Sequence, residues 1–263
     1  MKIEPTARVA FAGAIHEARP AIDREGMAAL RLADGRVVAE DRVVWLPPLE
    51  AGTVVALGLN YAEHRRELSR ELTLSARDEP LVFLKGRSSL LGHRGHTRRP
   101  AGVSFMHPEC ELAVVIGRSA RKVKAATAMD HVAGYTVAND YAIRDYLENW
   151  YRPNLRVKSR DGGTVLGPWF VDASLVADPH DLPLRTWING ELKQQGCTAD
   201  MVHRIPELIE YLSEFMTLTA GDVILTGTPA GVVNVDVGDE VVTEVEGIGR
   251  LVNTIVGDAE FGL

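Results

Sequence analysis

The stretch HPECELAVVIG, residues 107–117, decides how the rest of the chain is read. Its second half is an aliphatic run suited to a strand entering a protein's interior, yet two acids, Glu109 and Glu111, stand just ahead of it. Side chains of an extended strand alternate faces, so these two carboxylates point the same way. Held that close they repel, and a cation between them would relieve the repulsion.

Outward from this strand, short apolar runs and turns alternate in both directions. Strands are expected in TVVALGLN (53–60), PLVFLKG (80–86), GYTVANDY (134–141), LRTWINGEL (184–192, with an Asn-Gly turn), GDVILTGTPAGV (221–232) and GDEVVTEVEGIGRLVNTIV (238–256). Helices are expected in YAEHRRELSREL (61–72), around residues 125–131, and in RIPELIEYLSEFMTL (204–218). In the last of these Ile205, Leu208, Ile209, Leu212 and Phe215 form one apolar stripe that covers a core. A charged loop runs to Gly163. Residues 8–45 read as a small antiparallel unit with a hairpin turn at Ala33, Asp34, Gly35 and Arg36, and Pro47 and Pro48 end it. The division expected is a small β-containing domain over residues 1–50 and a catalytic domain over 51–263. Strands outnumber helices and even βα spacing is missing, so the fold class is mixed and mainly β.

Composition narrows the function. At 46% hydrophobic and 25% charged, the 263 residues suit an ordered, loop-rich globular protein. The net charge of -7 provides no basic field for nucleic acid or an anionic membrane surface, and the basic run GHRGHTRRP (92–100) lacks aromatics for base stacking. That run suits a polar loop near an anionic substrate or a subunit contact. The two cysteines, Cys110 and Cys197, are no disulfide framework and fit a reducing compartment. With no signal-like segment and no long apolar window, the expected location is the cytoplasm. Neither GxGxxG nor a Walker A lysine motif is present, which argues against a nucleotide cofactor.

Glu109, Glu111 and Asp140, the last at the end of a separate strand, offer three oxygen ligands of the kind a hard divalent cation takes. A plainer reading stays open: Glu109 exposed, Glu111 paired with an arginine, Asp140 capping a turn. His64 and Glu67, at i and i+3 of a helix, share a face and suit proton transfer or water activation, or equally a surface helix pair. Lys85 ends its strand and can meet a substrate carboxylate. Arg144 would share a side with Asp140 if YAIRDYLENW opened a helix, and Lys158 and Arg160 add positive charge. The turn at Thr228 and Pro229 offers a hydroxyl and backbone donors to carboxylate oxygens, or is a hairpin without a ligand.

The ordered set GLNYAEH, PLVFLK, HPECELAVVIG, GYTVANDYAIRD and ILTGTPAG resembles the fumarylacetoacetate hydrolase superfamily over about residues 54–256. Within it, NDYAIRDYLENWYRPNLRVKSRDG and LSEFMTLTAGDVILTGTPAGV are similar to the second half of fused homoprotocatechuate-pathway decarboxylase/isomerases, of which this chain holds one copy. The resemblance implies a rolled β-sandwich or barrel core with short peripheral helices. It also implies a homodimer, or a partner chain standing for the other half. Glu109, Glu111 and Asp140 then correspond to ligands of Mg²⁺ or Mn²⁺, Lys158 to a lysine beside the ion, Thr228 to a substrate-binding turn, and His64 with Glu67 to a proton-transferring pair on a lid. Lys85 is followed by Gly86, where relatives often carry proline or alanine. The activity implied is metal-dependent decarboxylation or isomerisation of 2-oxo or 2-hydroxy-dienoic di- or tricarboxylic acids in aromatic catabolism. Two alternatives are an acylpyruvate-type carbon-carbon hydrolase and a non-catalytic metal-holding subunit.

Overall fold

The computed structural model describes residues 3–68, 79–147 and 154–262, and the side chains of residues 65, 67 and 68 lie outside the described set. Five strands come first: β1 (Ala7–Phe11), β2 (Ala14–Ile22), β3 (Ala28–Leu32), β4 (Val37–Ala39) and β5 (Val44–Leu46). They form an antiparallel sheet in the order β4-β3-β2-β1-β5. The turn at residues 33–36 closes β3 onto β4, with Leu32 N–H donating to the Arg36 carbonyl at 2.8 Å.

Then follow β6 (Val54–Gly58), α1 (Ala62–Leu68), β7 (Leu81–Lys85), β8 (Leu90–Gly92), β9 (His96–Arg98), β10 (Met106–His107), β11 (Cys110–Ile116), α2 (Ala125–Ala128), β12 (Val132–Asp140) and β13 (Ala142–Ile143). The chain continues with α3 (Leu155–Lys158), β14 (Thr164–Asp172), β15 (Pro183–Ile188), β16 (Glu191–Cys197), α4 (Ile205–Phe215), β17 (Val223–Leu225), β18 (Glu240–Val245) and β19 (Gly249–Val256). A seven-stranded sheet, β7-β6-β17-β11-β12-β14-β8, packs against a five-stranded one, β16-β15-β18-β19-β9. Leu112, Val114, Val137 and Val165 of the first meet Leu184, Val241, Val245, Leu251 and Ile255 of the second in the main core. The result is a strand-dominated fold with a curled half-barrel sheet and short peripheral helices, as expected.

Strand β11 is buried along its whole length. Its alternate residues Leu112, Val114 and Ile116 enter the main core, while Ala113 joins a second cluster with Val54, Ala56, Ala138, Leu166 and Leu225 on the opposite face. Both faces are covered, which explains the unbroken aliphatic run. On α4, Ile205, Leu208, Ile209 and Leu212 are buried, but Phe215 is 56% exposed and stacks edge-on with Tyr211. The apolar stripe therefore ends one turn earlier than its periodicity suggests.

Two local expectations are corrected. Residues 142–147 form β13 and a single 3₁₀ turn, Arg144–Tyr146, so no α-helix opens over residues 141–147. Within the charged stretch before Gly163 lies the helical turn α3, and immediately after that stretch comes β14, a full strand that the Gly167-Pro168 pair hides in the sequence. Register explains how β14 tolerates proline. Tyr135 pairs with Val171 and Val137 with Gly167, so residues 168–170 bulge opposite Thr136. Proline needs no ladder partner there, and Phe170 exchanges its backbone bonds with Thr6 instead, at 2.7 and 2.9 Å.

Candidate metal centre

Register assembles the acidic site. In the antiparallel pair of β11 and β12, Glu111 stands opposite Ala138, and one step further the Asp140 N–H donates to the Glu109 carbonyl at 2.9 Å. Opposed residues share a face, so Glu109, Glu111 and Asp140 converge on the side away from the main core. Ligand oxygens of all three lie within 4.8 Å of one another, and all three residues are buried. The plainer reading, with an exposed Glu109, does not hold.

The cation called for by two neighbouring glutamates is supplied in part by the chain. Lys158, at the end of α3, places Nζ 2.5 Å from Glu109 Oε2 and 3.0 Å from Asp140 Oδ2. Lys85 reaches Asp140 Oδ1 at 2.5 Å with its side chain fully buried, so it faces a site carboxylate directly. Strand β7 is four positions from β12 in the sheet, about 19 Å across a flat one, which is farther than a lysine side chain reaches. The contact is made because the sheet curls.

The electrostatics separate the two glutamates. Burial opposes ionisation of Glu109, but Lys158, His107, Arg144 and His64 outweigh it and hold this carboxyl below the usual range. At Glu111 burial acts together with the charges of Asp140 and Glu109, and its carboxyl is pushed well above the usual range. Glu111 Oε2 accepts the Gly227 N–H at 2.6 Å, whereas Oε1 is buried with no hydrogen-bond partner among the described residues. An orphaned carboxylate oxygen beside two more carboxylates is a ligand set for a hard divalent cation, and these residues fit one.

Around the acids lie the other candidates. His64, on the first turn of α1, is buried and close enough to act on Glu109. The Glu67 side chain lies outside the described residues. Arg144 arrives without a helix, with Nη2 3.8 Å from Glu109 Oε1, and its Nε donates to His107 Nε2 at 2.9 Å. The Thr228 hydroxyl is buried and accepts from Gln194 Nε2 at 2.9 Å. Arg160 lies over the Tyr146 ring, 5.3 Å from its centroid. The arginines of residues 92–100 serve the fold: Arg94 pairs with Glu40, Arg98 with Asp258, and Arg99 binds the Val103 and Val235 carbonyls.

Two contributors, His107 and Asn60, carried no usable signal in the sequence, and a third, Gly227, met a partner that the sequence did not name. His107 sits 3.6 Å from Glu109 Oε1, and burial pushes its imidazole down to about 3. Asn60 donates to the carbonyls of Thr226 and His203, tying the segment before α1 to the turn that carries Thr228. Gly227, at φ +89°, presents its N–H to Glu111, and a Cβ there would come within 3.0 Å of the Asn60 side chain. The freedom of this glycine turn and its backbone donors are legible in the sequence, whereas the identity of the carboxylate they meet, Glu111, is not.

Residues 53–256 match the family described as fumarylacetoacetate (FAA) hydrolase C-terminal. A 4-hydroxyphenylacetate degradation bifunctional isomerase/decarboxylase of Salmonella dublin is 59% identical over 227 residues, covering 84% of this chain and 52% of that protein. The chain thus spans about half the length of the first curated relatives it matches. Among solved structures, 5-carboxymethyl-2-hydroxymuconate delta-isomerase from Mycobacterium smegmatis superposes with a TM-score of 0.81 at 37% identity, over 96% of this chain and 98% of that one. The 2-hydroxyhepta-2,4-diene-1,7-dioate isomerase from Mycobacterium marinum gives 0.80 at 35% identity, over 97% and 99%.

Proposed function

The chain belongs to the fumarylacetoacetate hydrolase family, and from that premise we propose that it is a divalent-metal-dependent enzyme that isomerises or decarboxylates 2-oxo or 2-hydroxy-dienoic di- or tricarboxylic acids in aromatic catabolism. The observation that carries the proposal is the buried Glu109, Glu111 and Asp140 cluster with its orphaned Glu111 oxygen, in a chain 59% identical to half of a bifunctional isomerase/decarboxylase. The resident ion proposed is Mg²⁺ or Mn²⁺. Bound there, it supplies Lewis-acid stabilisation of the negative charge on adjacent oxo-acid oxygens.

The chain's own groups do the rest. Lys158 and Lys85 hold the Asp140 carboxylate in place and aim it, and Lys158 does the same for Glu109. Lys85 is spent on Asp140, so Arg144 and Thr228 take the substrate's carboxylate or oxo oxygens. His64, with Glu67 three residues on, carries the proton between the enol oxygen and a diene carbon. Decarboxylation uses the same proton delivery after CO₂ leaves. We further propose a homodimer as the working form, with assembly onto a separate partner chain as the alternative. No described helix is long and apolar enough to cross a membrane.

The test is turnover of the hydroxydienoate and of 5-oxopent-3-ene-1,2,5-tricarboxylate by metal-loaded protein, following ultraviolet absorbance and CO₂ together. Metal-dependent CO₂ release or dienol loss is expected, with Glu111→Gln reducing it by about a hundredfold or more. Cleavage of an acylpyruvate into two acids would make the chain a hydrolase. Metal binding without turnover of any such acid would make it a metal-holding subunit.

A further inference from the structure

Gln194 lies on β16, and none of the chemistry above uses it. Its side chain is buried and has three polar contacts: Nε2 donates to Thr228 Oγ1 at 2.9 Å and to the Pro229 carbonyl at 2.8 Å, while Oε1 accepts from Thr186 Oγ1 at 3.0 Å. A carbonyl only accepts, so Pro229 fixes which end of the amide carries the hydrogens, and the Thr186 hydroxyl at the other end agrees. The consequence falls on Thr228. An amide nitrogen only donates, so Thr228 Oγ1 must accept from it, and the single hydroxyl proton has to be donated elsewhere.

The strand holds this arrangement firmly. A Cβ on Gly196, two residues along β16, would come within 2.5 Å of the Pro229 ring, so the strand packs directly on the turn. On the other side of Thr228, the Gly227 N–H is committed to Glu111 Oε2 at 2.6 Å. The turn is thereby pinned between the acidic site and β16, with the Thr228 proton directed away from Gln194.

We infer that Gln194 is a positioning residue that commits the Thr228 hydroxyl to donating, so that this position selects a substrate oxygen that accepts, a carboxylate or oxo oxygen, over a hydroxyl or amine. The inference rests on the proposed contact between Thr228 and substrate. Gln194→Glu keeps the side chain's shape and reverses its polarity: a carboxylate takes the Thr228 proton and leaves the Pro229 carbonyl without its donor.

Oxalate, a small acid with paired acceptor oxygens, is the probe, titrated calorimetrically into magnesium-loaded protein. Thr228→Val and Gln194→Glu are each expected to weaken oxalate about tenfold, the scale of one hydrogen bond to a charged group. Thr228→Ser retains wild-type affinity. The double variant Gln194→Glu/Thr228→Val binds as Thr228→Val does alone, because the second change has no hydroxyl left to act on. If Thr228→Val binds oxalate normally, or the wild type binds none, the substrate contact itself fails and the inference falls with it. If Thr228→Val weakens oxalate while Gln194→Glu does not, or Gln194→Glu costs the same tenfold in the Thr228→Val background, the inference alone is overturned. Gln194→Met, neutral and unable to hydrogen-bond, replaces Gln194→Glu if melting shows that the charged variant is unfolded. A smaller loss, confined to proteins that keep the hydroxyl, is then expected, and no loss overturns the inference.

Discussion

At the scale of single residues, the site is a balance of three buried carboxylates against two buried ammonium groups. Lys158 is the residue on which that balance turns, because among the described residues it alone bridges Glu109 and Asp140. Removing one partner of a buried ion pair leaves the other charge uncompensated, at a cost of about 3–5 kcal/mol. Lys158→Met is therefore expected to lower the melting temperature of metal-free protein sharply, and added Mn²⁺ to restore part of the loss. Its metal affinity is expected to rise relative to wild type, since a positive charge next to the acids has gone. Calorimetric metal titration alongside thermal melts checks both directions, and a variant that bound metal more weakly would contradict this account of Lys158. The acids themselves were legible in the sequence from strand alternation and the end of a second strand. The target of Lys85 was not, and the place of Lys158 beside the ion came only from the family resemblance, because a long flexible side chain carries no record of where it lands.

At the scale of elements, α4 and β14 show how far pattern goes. The i, i+3, i+4 spacing finds α4 and four of its buried residues, but Phe215 at its end faces solvent because the layer it would cover stops at Leu212. Leu208→Ala, which opens a cavity in the main core, is expected to cost about 2–5 kcal/mol. Phe215→Ala, which loses little beyond its contact with Tyr211, is expected to cost under about 1 kcal/mol. Denaturant midpoints of the two variants distinguish a core-facing residue from an edge one. Strand β14 escapes pattern because its Gly-Pro pair reads as a break, and only the bulge opposite Thr136 makes it compatible with a central strand.

At the scale of the whole molecule, we propose residues 1–50 as a domain docked on the catalytic one through the Trp45 seam. The Trp45 ring lies edge-on to Trp169, at 5.5 Å, and to His93, at 4.7 Å. His93 Nδ1 accepts the Val252 N–H at 3.0 Å. Burial, aided by the Arg94 charge, pushes the His93 imidazole down to about 3. Between that value and its ordinary one the unfolded chain binds more protons at this position than the folded chain. Stability is thus full above about pH 6.5 and falls as the pH drops through the window. His93 is expected to lower the melting temperature on going from about pH 7.5 to about pH 5, against an opposite contribution from Glu111, whose raised carboxyl favours the folded chain as the pH falls. His93→Asn, which keeps an acceptor for Val252 but does not titrate, is expected to make the decline shallower. The flattening is partial, since burial also depresses His107 and His180.

By itself the amino-acid sequence determined the strand-rich fold and the three acids of the candidate metal centre, because strand periodicity, turn chemistry and the position of a carboxylate at a strand end are local properties. Tertiary structure alone decided what surrounds those acids. Lys85 meets Asp140 only because the sheet curls, Lys158 only because α3 returns across the strand ends, and the Gln194 amide only because a second sheet packs against the Thr228 turn. Each of these contacts joins residues more than fifteen apart in the chain, where spacing says nothing and the closing of one sheet over another decides which groups meet.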